Sequence, residues 1–287
     1  VTGNPSPIAR IACAGLAIGA AALLTRAAEA PGPFGAFEHH TFISEQGAGA
    51  AIELPYRLLP PIDPREGERY PLIVFLHGFG ERGADNERQL SNGGAVLADE
   101  AFRRERPAFV IAPQCPDGIE PSTGRDRAWI FRLQPGAPAT IELDRDPTPQ
   151  LAAVHALVES VCETHAIDRD RIYLMGLSMG GYAVWELAMR HPNTYAAAVP
   201  ICGAGDAQHA ALLAGMPIWA FHGDADTVVQ PERSREVVHA IRAAGGAPIL
   251  TEYPGVGHDS WTPTFQSRLM WDWLFAQRLP ASDARAD

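Results

Sequence analysis

Arg171-Ile172-Tyr173-Leu174-Met175-Gly176-Leu177-Ser178-Met179-Gly180-Gly181 (RIYLMGLSMGG, residues 171–181) decides how the rest of the chain is read. Arg171–Met175 is a short, mostly apolar run of the kind that forms a strand buried on both faces of a parallel sheet. Met179–Arg190 reads as a helix that stops before His191-Pro192, because the residue preceding a proline disfavours helical backbone. Gly176-Leu177-Ser178-Met179-Gly180 therefore places a serine at a sharp turn from strand to helix. The letters Gly-x-Ser-x-Gly carry little by themselves; the strand before and the helix after give them weight. The glycines leave room where side chains would meet neighbouring backbone, and the helix N-terminus favours negative charge developing at the serine. The competing reading is an ordinary glycine-rich connection.

The same alternation extends to either side. Phe37–Ser44 and Ile52–Leu59 read as opening antiparallel strands, and Pro60–Pro64 turns the chain. Short apolar runs follow at Pro71–Leu76, Ala108–Ala112, Ala196–Cys202, Pro217–Phe221 and Ile249–Tyr253. Helical periodicity covers Leu151–His165, Pro231–Ala244 and Phe265–Leu279. Strands alternating with helices predict a mostly parallel sheet covered on both faces, with reactive groups in loops at the carboxyl ends of the strands. No internal repeat or coiled-coil heptad interrupts this order.

A serine hydroxyl needs a base, and the base needs a carboxylate to orient it. His222-Gly223-Asp224-Ala225-Asp226 follows the run Pro217–Phe221, and Gly255-Val256-Gly257-His258-Asp259 follows Ile249–Tyr253. The chain order serine, aspartate, histidine fits a base at His258 and an acid at Asp226. Asp224 is the competing acid. It lies in the tight turn, where an aspartate commonly caps its own backbone. Asp259 is the weaker rival. His77 and His222, each before a glycine at a strand end, read as turn residues. His155, His165 and His239 fall on helices, and His39-His40 on an opening strand. None of the histidine or cysteine spacings is that of a metal site, so no metal and no cofactor is expected.

Acyl transfer also needs backbone donors for an oxyanion. Met179, after the serine, supplies one. The loop His77-Gly78-Phe79-Gly80-Glu81-Arg82-Gly83 supplies the other, with Phe79 as the expected residue. Trp261, beside His258, and Trp129, in the Pro-rich stretch Pro116–Pro149 with Phe131, are the expected substrate-binding residues. Core packing is the alternative for Trp261, and a surface excursion with a satellite cluster is the alternative for the stretch that carries Trp129.

His77-Gly78-Phe79-Gly80-Glu81-Arg82-Gly83, Ala112-Pro113-Gln114-Cys115-Pro116, Gly176–Gly181, His222–Asp226 and Gly257-His258-Asp259-Ser260-Trp261 resemble the bacterial esterases related to dienelactone hydrolases and polyhydroxybutyrate depolymerases. These are also identified as phospholipase/carboxylesterase or predicted-peptidase types. The resemblance covers about residues 37–279. It implies the α/β-hydrolase fold, a Ser178–Asp226–His258 triad, and Phe79 and Met179 as oxyanion donors. Dienelactone hydrolases proper use a cysteine where this chain has Ser178, which points to ordinary esters.

The reading is then a serine carboxylesterase for short-chain or aromatic acyl esters, free or attached to polysaccharide. The alternatives are a serine peptidase of the prolyl-oligopeptidase-like type and a non-catalytic binding protein on the same fold. No long insertion follows Ala196–Cys202, so no large lid is expected. A net charge of −11, with 23 basic residues that are all arginine, disfavours nucleic acid as a partner. Hydrophobic residues at 46% and charged residues at 20% suit a globular domain. Arg10, the apolar stretch Ile11–Leu24 and Ala28-Glu29-Ala30 have the pattern of a signal peptide at 1–30. A linker at 31–36 and a catalytic domain at 37–287 follow, with a secreted or periplasmic location and no stable membrane insertion. Without Cys13, Cys115, Cys162 and Cys202 allow one bridge or none. Oligomeric state is left open.

Overall fold

In the computed structural model of the protein, residues 34–44, 51–120, 125–130, 141 and 143–280 are described. They belong to the unit Gly32–Asp287. The expected signal peptide, residues 31–33 of the linker, and Phe131 lie outside the described residues.

The apolar runs form one eight-stranded sheet. Its strands are β1 (Glu38–Ser44), β2 (Ile52–Leu59), β3 (Tyr70–Leu76), β4 (Phe109–Pro113), β5 (Ile167–Leu177), β6 (Ala197–Ile201), β7 (Trp219–Gly223) and β8 (Ile249–Tyr253), in the order β1-β2-β4-β3-β5-β6-β7-β8. β1 pairs antiparallel with β2, and β2 antiparallel with β4. Every pairing from β4 to β8 is parallel. All seven residues of β3 are buried, as expected of a strand covered on both faces. Each large side chain there contributes roughly 1.5–3 kcal/mol through burial.

Two hydrophobic cores flank the sheet. One packs Leu72, Val74, Leu76 and Leu174 under α3 (Pro149–Thr164), α4 (Met179–Arg190) and α5 (Glu232–Ala243). The other packs Ile73, Phe75, Tyr173 and Met175 under α1 (Gly94–Ala98), α6 (Trp261–Gln266) and α7 (Arg268–Phe275). α2 (Glu100–Glu105) follows α1, with Asp99 accepting the Phe102 amide as its cap. No large lid occurs among the described residues; β6 and β7 are joined through a 3-10 turn at Ala207–Leu213.

Two elements differ from the sequence reading by more than two residues. β5 begins at Ile167, because Asp168–Arg171 are extended but polar. Arg171 pairs with Asp168 there at 2.7 Å, and Arg278 pairs with the same carboxylate at 2.9 Å. The terminal helix is two helices, starting at Trp261. Ser267 takes extended backbone between them, and its hydroxyl accepts the Met270 amide, ending α6 and opening α7. An apolar period runs through both helices and hides such a break.

Candidate active site

The sheet delivers the chemical groups to one edge. β5 ends at Leu177, and Ser178 takes the left-handed backbone φ 52, ψ −118 before α4 begins. That conformation costs a non-glycine residue of order 1 kcal/mol or more and persists only where the surroundings impose it. Here they do. A Cβ on Gly180 would stand 2.0 Å from the Leu76 carbonyl oxygen, and one on Gly176 would stand 2.6 Å from that of Gly180. No side chain fits at either place, so the turn packs directly on the end of β3.

Two neighbouring strands bring the expected base and acid. The loops after β7 and β8 are laced by three hydrogen bonds: Asp224 N–H to Tyr253, Ala225 N–H to Val256, and Gly255 N–H to the Asp224 carboxylate at 2.6 Å. His258 Nε2 then lies 2.9 Å from Ser178 Oγ, and its Nδ1 lies 2.7 Å from Asp226 Oδ2. The other Asp226 oxygen accepts the amides of Val228 and Val229 at 2.8 and 3.0 Å. Burial pushes the Asp226 carboxyl up, but hydrogen bonds from His222, His258 and those two amides outweigh it. They hold the group well below the usual carboxylate range. Asp224 is committed to Gly255, and Asp259 to the amide and hydroxyl of Thr262. Neither is hydrogen-bonded to the imidazole of His258.

Phe79 opens a single 3-10 turn at Phe79–Glu81. A Cβ on Gly78 would lie 3.6 Å from Ser178 Cβ, so this loop runs beside the serine. His77, wholly buried, fixes its direction. Nδ1–H donates to the Gly78 carbonyl at 2.6 Å, and Nε2 accepts the Cys115 amide at 2.9 Å. A trans peptide holds its C=O and N–H on opposite sides, so a Gly78 carbonyl tied to His77 turns the Phe79 N–H away from that ring. Burial lowers the His77 pKa to about 4, keeping it neutral. Glu81 backs the loop from below. Burial raises its carboxyl, while the amides of Glu81 and Gly78 and the side chain of Asn92 ease it. Met179 is the first residue of α4, and its side chain is buried in the core. Its amide is among those a helix start leaves without an intrahelical partner.

Trp261 meets the His258 ring edge-to-face at 5.4 Å. Trp129 sits elsewhere. It is fully buried, its indole N–H donating to the His77 carbonyl at 3.2 Å and its ring 5.2 Å from that imidazole. It therefore packs beneath the Phe79 loop rather than lining an open surface, because its only polar atom finds its partner in the interior.

The sequence reading missed two residues at this edge. Cys202, after β6, also has a positive φ, 41°. Its sulfur and ligand-type atoms of Asp226 and His258 lie within 4.8 Å of one another. Burial pushes its thiol up to about 12. It is therefore a protonated thiol behind the base. His222 lies 3.3 Å from Asp226 Oδ2 through Nε2. The His-Gly dipeptide at a strand end was its one signal in the sequence. Cys115, Cys162 and Cys202 are all free.

The strand order, and a serine on a left-handed turn between strand and helix, define an α/β-hydrolase. Residues 60–270 match the model of the Phospholipase/Carboxylesterase family, and the chain belongs to that family. A thermostable esterase of known structure is 36% identical, with a TM-score of 0.74 over 86% of this chain and 64% of its own. The esterase NocK of Nocardia uniformis is 26% identical over 60% of this chain and 44% of NocK. Poly(3-hydroxyalkanoate) depolymerase C of Paucimonas lemoignei is 27% identical over 46% of this chain and 28% of its own. The chain thus spans less than half the length of these two relatives.

Proposed function

We propose that the protein is a serine carboxylesterase working through an acyl-enzyme, with Ser178 as nucleophile, His258 as general base and acid, and Asp226 as the orienting carboxylate. The observation that carries this is the unbroken path from Ser178 Oγ through His258 to Asp226, at 2.9 and 2.7 Å, on a serine held in left-handed backbone. Ser178 Oγ bonds to the ester carbonyl carbon as His258 Nε2 takes its proton. The oxyanion faces the amides of Phe79 and Met179. Collapse breaks the bond to the alcohol oxygen, which receives the proton from His258. Water, deprotonated by His258, then releases the acid.

The substrate class we infer is short-chain or aromatic acyl esters, free or carried on a polymer. It is supported by the Trp261 ring beside His258, by the exposed Phe79 side chain, and by the absence of a large lid among the described residues. Export through a leader at 1–30 is proposed from the sequence pattern alone, and N-terminal sequencing of material recovered outside the cytoplasm tests it.

The deciding experiment measures p-nitrophenyl esters from acetate to palmitate, a feruloyl ester and a matching anilide, on the protein and on Ser178→Ala. The expected outcome is a loss of at least about 10³-fold in kcat/KM in the variant, with the profile highest on short or feruloyl esters. Undiminished activity in the variant overturns the mechanism. A palmitate maximum overturns the substrate class, and anilide turnover exceeding ester turnover moves the protein to the peptidases.

A further inference from the structure

His222 is buried completely beneath the acid; its Nε2 meets only acceptors, and its Nδ1 meets a hydroxyl. Nε2 lies 2.8 Å from the Val229 carbonyl and 3.3 Å from Asp226 Oδ2. Neither oxygen has a proton to give, since the Asp226 carboxyl is held ionised, so Nε2 carries one. Nδ1 lies 2.8 Å from Ser234 Oγ, and Ser234 Oγ lies 3.1 Å from the Gly203 carbonyl. A hydroxyl has a single proton. Spent on Gly203, it leaves the hydroxyl to accept from Nδ1–H. Spent instead on Nδ1, it leaves two buried oxygens facing each other with no proton between them, at a cost of about 1–3 kcal/mol.

We propose that His222 is a buried imidazolium, protonated on both nitrogens, and that its charge beneath Asp226 moderates the basicity of His258. The pair is neutral overall, the arrangement in which buried charge is tolerated. His222 and His258 sit on the same oxygen of Asp226, so the carboxylate divides its charge between two imidazoles. His258 then gives up its proton at lower pH than it would with Asp226 to itself. His222 is in this sense a positioning residue that acts through Asp226, and the second half of the proposal rests on the reading of Asp226 and His258 as the acid–base pair.

The other groups around the cluster do not supply this effect. Ser178 and Ser234 are hydroxyls. Burial pushes Cys202, after β6, and Tyr182, on α4, both to about 12, so both stay neutral where His258 titrates. Asp259 is engaged by Thr262, and Arg233, on α5, lies 3.6 Å from Glu236.

The test is ¹⁵N NMR of the histidine-labelled protein and of His222→Gln, titrated from about pH 6 to 9, where an ordinary histidine loses its charge. Glutamine keeps an N–H for Val229 and removes the charge. The expected result is both His222 ring nitrogens protonated throughout. The His258 midpoint should rise by about one pH unit in the variant. A bare ring nitrogen on His222 in that range, or an unmoved His258 midpoint in a folded variant, overturns the proposal. If His222→Gln does not fold, the unsubstituted protein still decides the protonation, and Ser234→Ala, which removes the acceptor for Nδ1–H, decides the coupling by the same upward shift. No substrate is used, so a protein that titrates as expected but hydrolyses nothing breaks the esterase reading and leaves this one standing.

Discussion

The edge of the sheet carries the dipeptide His-Gly twice, as His77-Gly78 just after β3 and His222-Gly223 at the end of β7, and the two corners solve opposite problems. Both imidazoles are buried, and both strands are buried throughout. His77 has one acceptor and one donor as partners, the Gly78 carbonyl and the Cys115 amide, so it is satisfied as a neutral ring. His222 has a carbonyl on one nitrogen and, on the other, a hydroxyl whose proton goes to Gly203. For His77 burial is the largest cause of its neutrality, and its donor and acceptor partners match that state. The neutral ring fixes the peptide that runs beside Ser178; the charged one stands under Asp226.

The glycines of the two corners sharpen this difference, and they give the largest expected effect. A Cβ on Gly223 would stand 2.2 Å from the backbone oxygens of both Val256 and Gly257, in the loop that carries His258. Backbone laced by hydrogen bonds has nowhere to go. Gly223→Ala should therefore lose about 2–4 kcal/mol in urea unfolding and, by displacing His258, about 10²-fold in kcat/KM. A Cβ on Gly78 would meet the Glu81 carboxylate at 2.9 Å and a Leu177 methyl at 3.0 Å, both ends of side chains. Gly78→Ala should cost about 1 kcal/mol. Equal losses in the two variants would mean that the β7 corner is no more tightly built than the β3 corner.

The next effect is in pH. His77 has a folded pKa of about 4 against an ordinary 6.5. Below 6.5 the unfolded chain takes a proton that the folded protein refuses, so stability falls as the pH drops from 6.5 towards 4, by up to about 3 kcal/mol from this group. His191, also lowered to about 4, adds to the same fall, so the measurement is a difference. His77→Gln should be less stable than the parent at pH 7, and the gap should narrow by about 2–3 kcal/mol at pH 4.5. For His222→Gln the gap should not narrow, because the folded parent already holds that proton. A gap for His77→Gln that stays constant would mean that His77 is charged in the folded protein.

These corners also mark how far the sequence could be read. The convergence of Ser178, Asp226 and His258 was legible because each lies at the end of an apolar run and in a fixed chain order, and both cues are local. The strands were legible for the same reason, where they are apolar. The polar start of β5 and the break at Ser267 were not, since periodicity does not report a capping hydroxyl. Trp129 was read as a substrate-binding residue and is an internal brace, because the carbonyl its indole seeks, on His77, is remote in sequence. His222 was read as a turn residue. Its neighbours Val229 and Ser234 become its partners only when α5 folds back over β7, and a spacing of seven or twelve residues announces nothing by itself.

The smallest expected effect separates the two carboxylates of the β7 corner. Asp224 and Asp226 differ by two positions, and the sequence left the first as a rival to the second. Asp224 Oδ1 accepts the Gly255 amide at an exposed turn of positive φ, 70°, where water can replace it. Asp224→Ala should therefore cost about 1 kcal/mol and leave kcat/KM within about threefold, since the tie from Ala225 N–H to Val256 still joins the loops. Asp226→Asn keeps the shape but removes the charge that faces His258, and should cost about 10³–10⁴-fold. Asp224 is to its loop what His77 is to the β3 corner, a brace satisfied by backbone. A folded Asp224→Ala protein that loses activity as Asp226→Asn does would make Asp224 part of the charge relationship with His258, and the two corners would then differ less than their hydrogen bonds indicate.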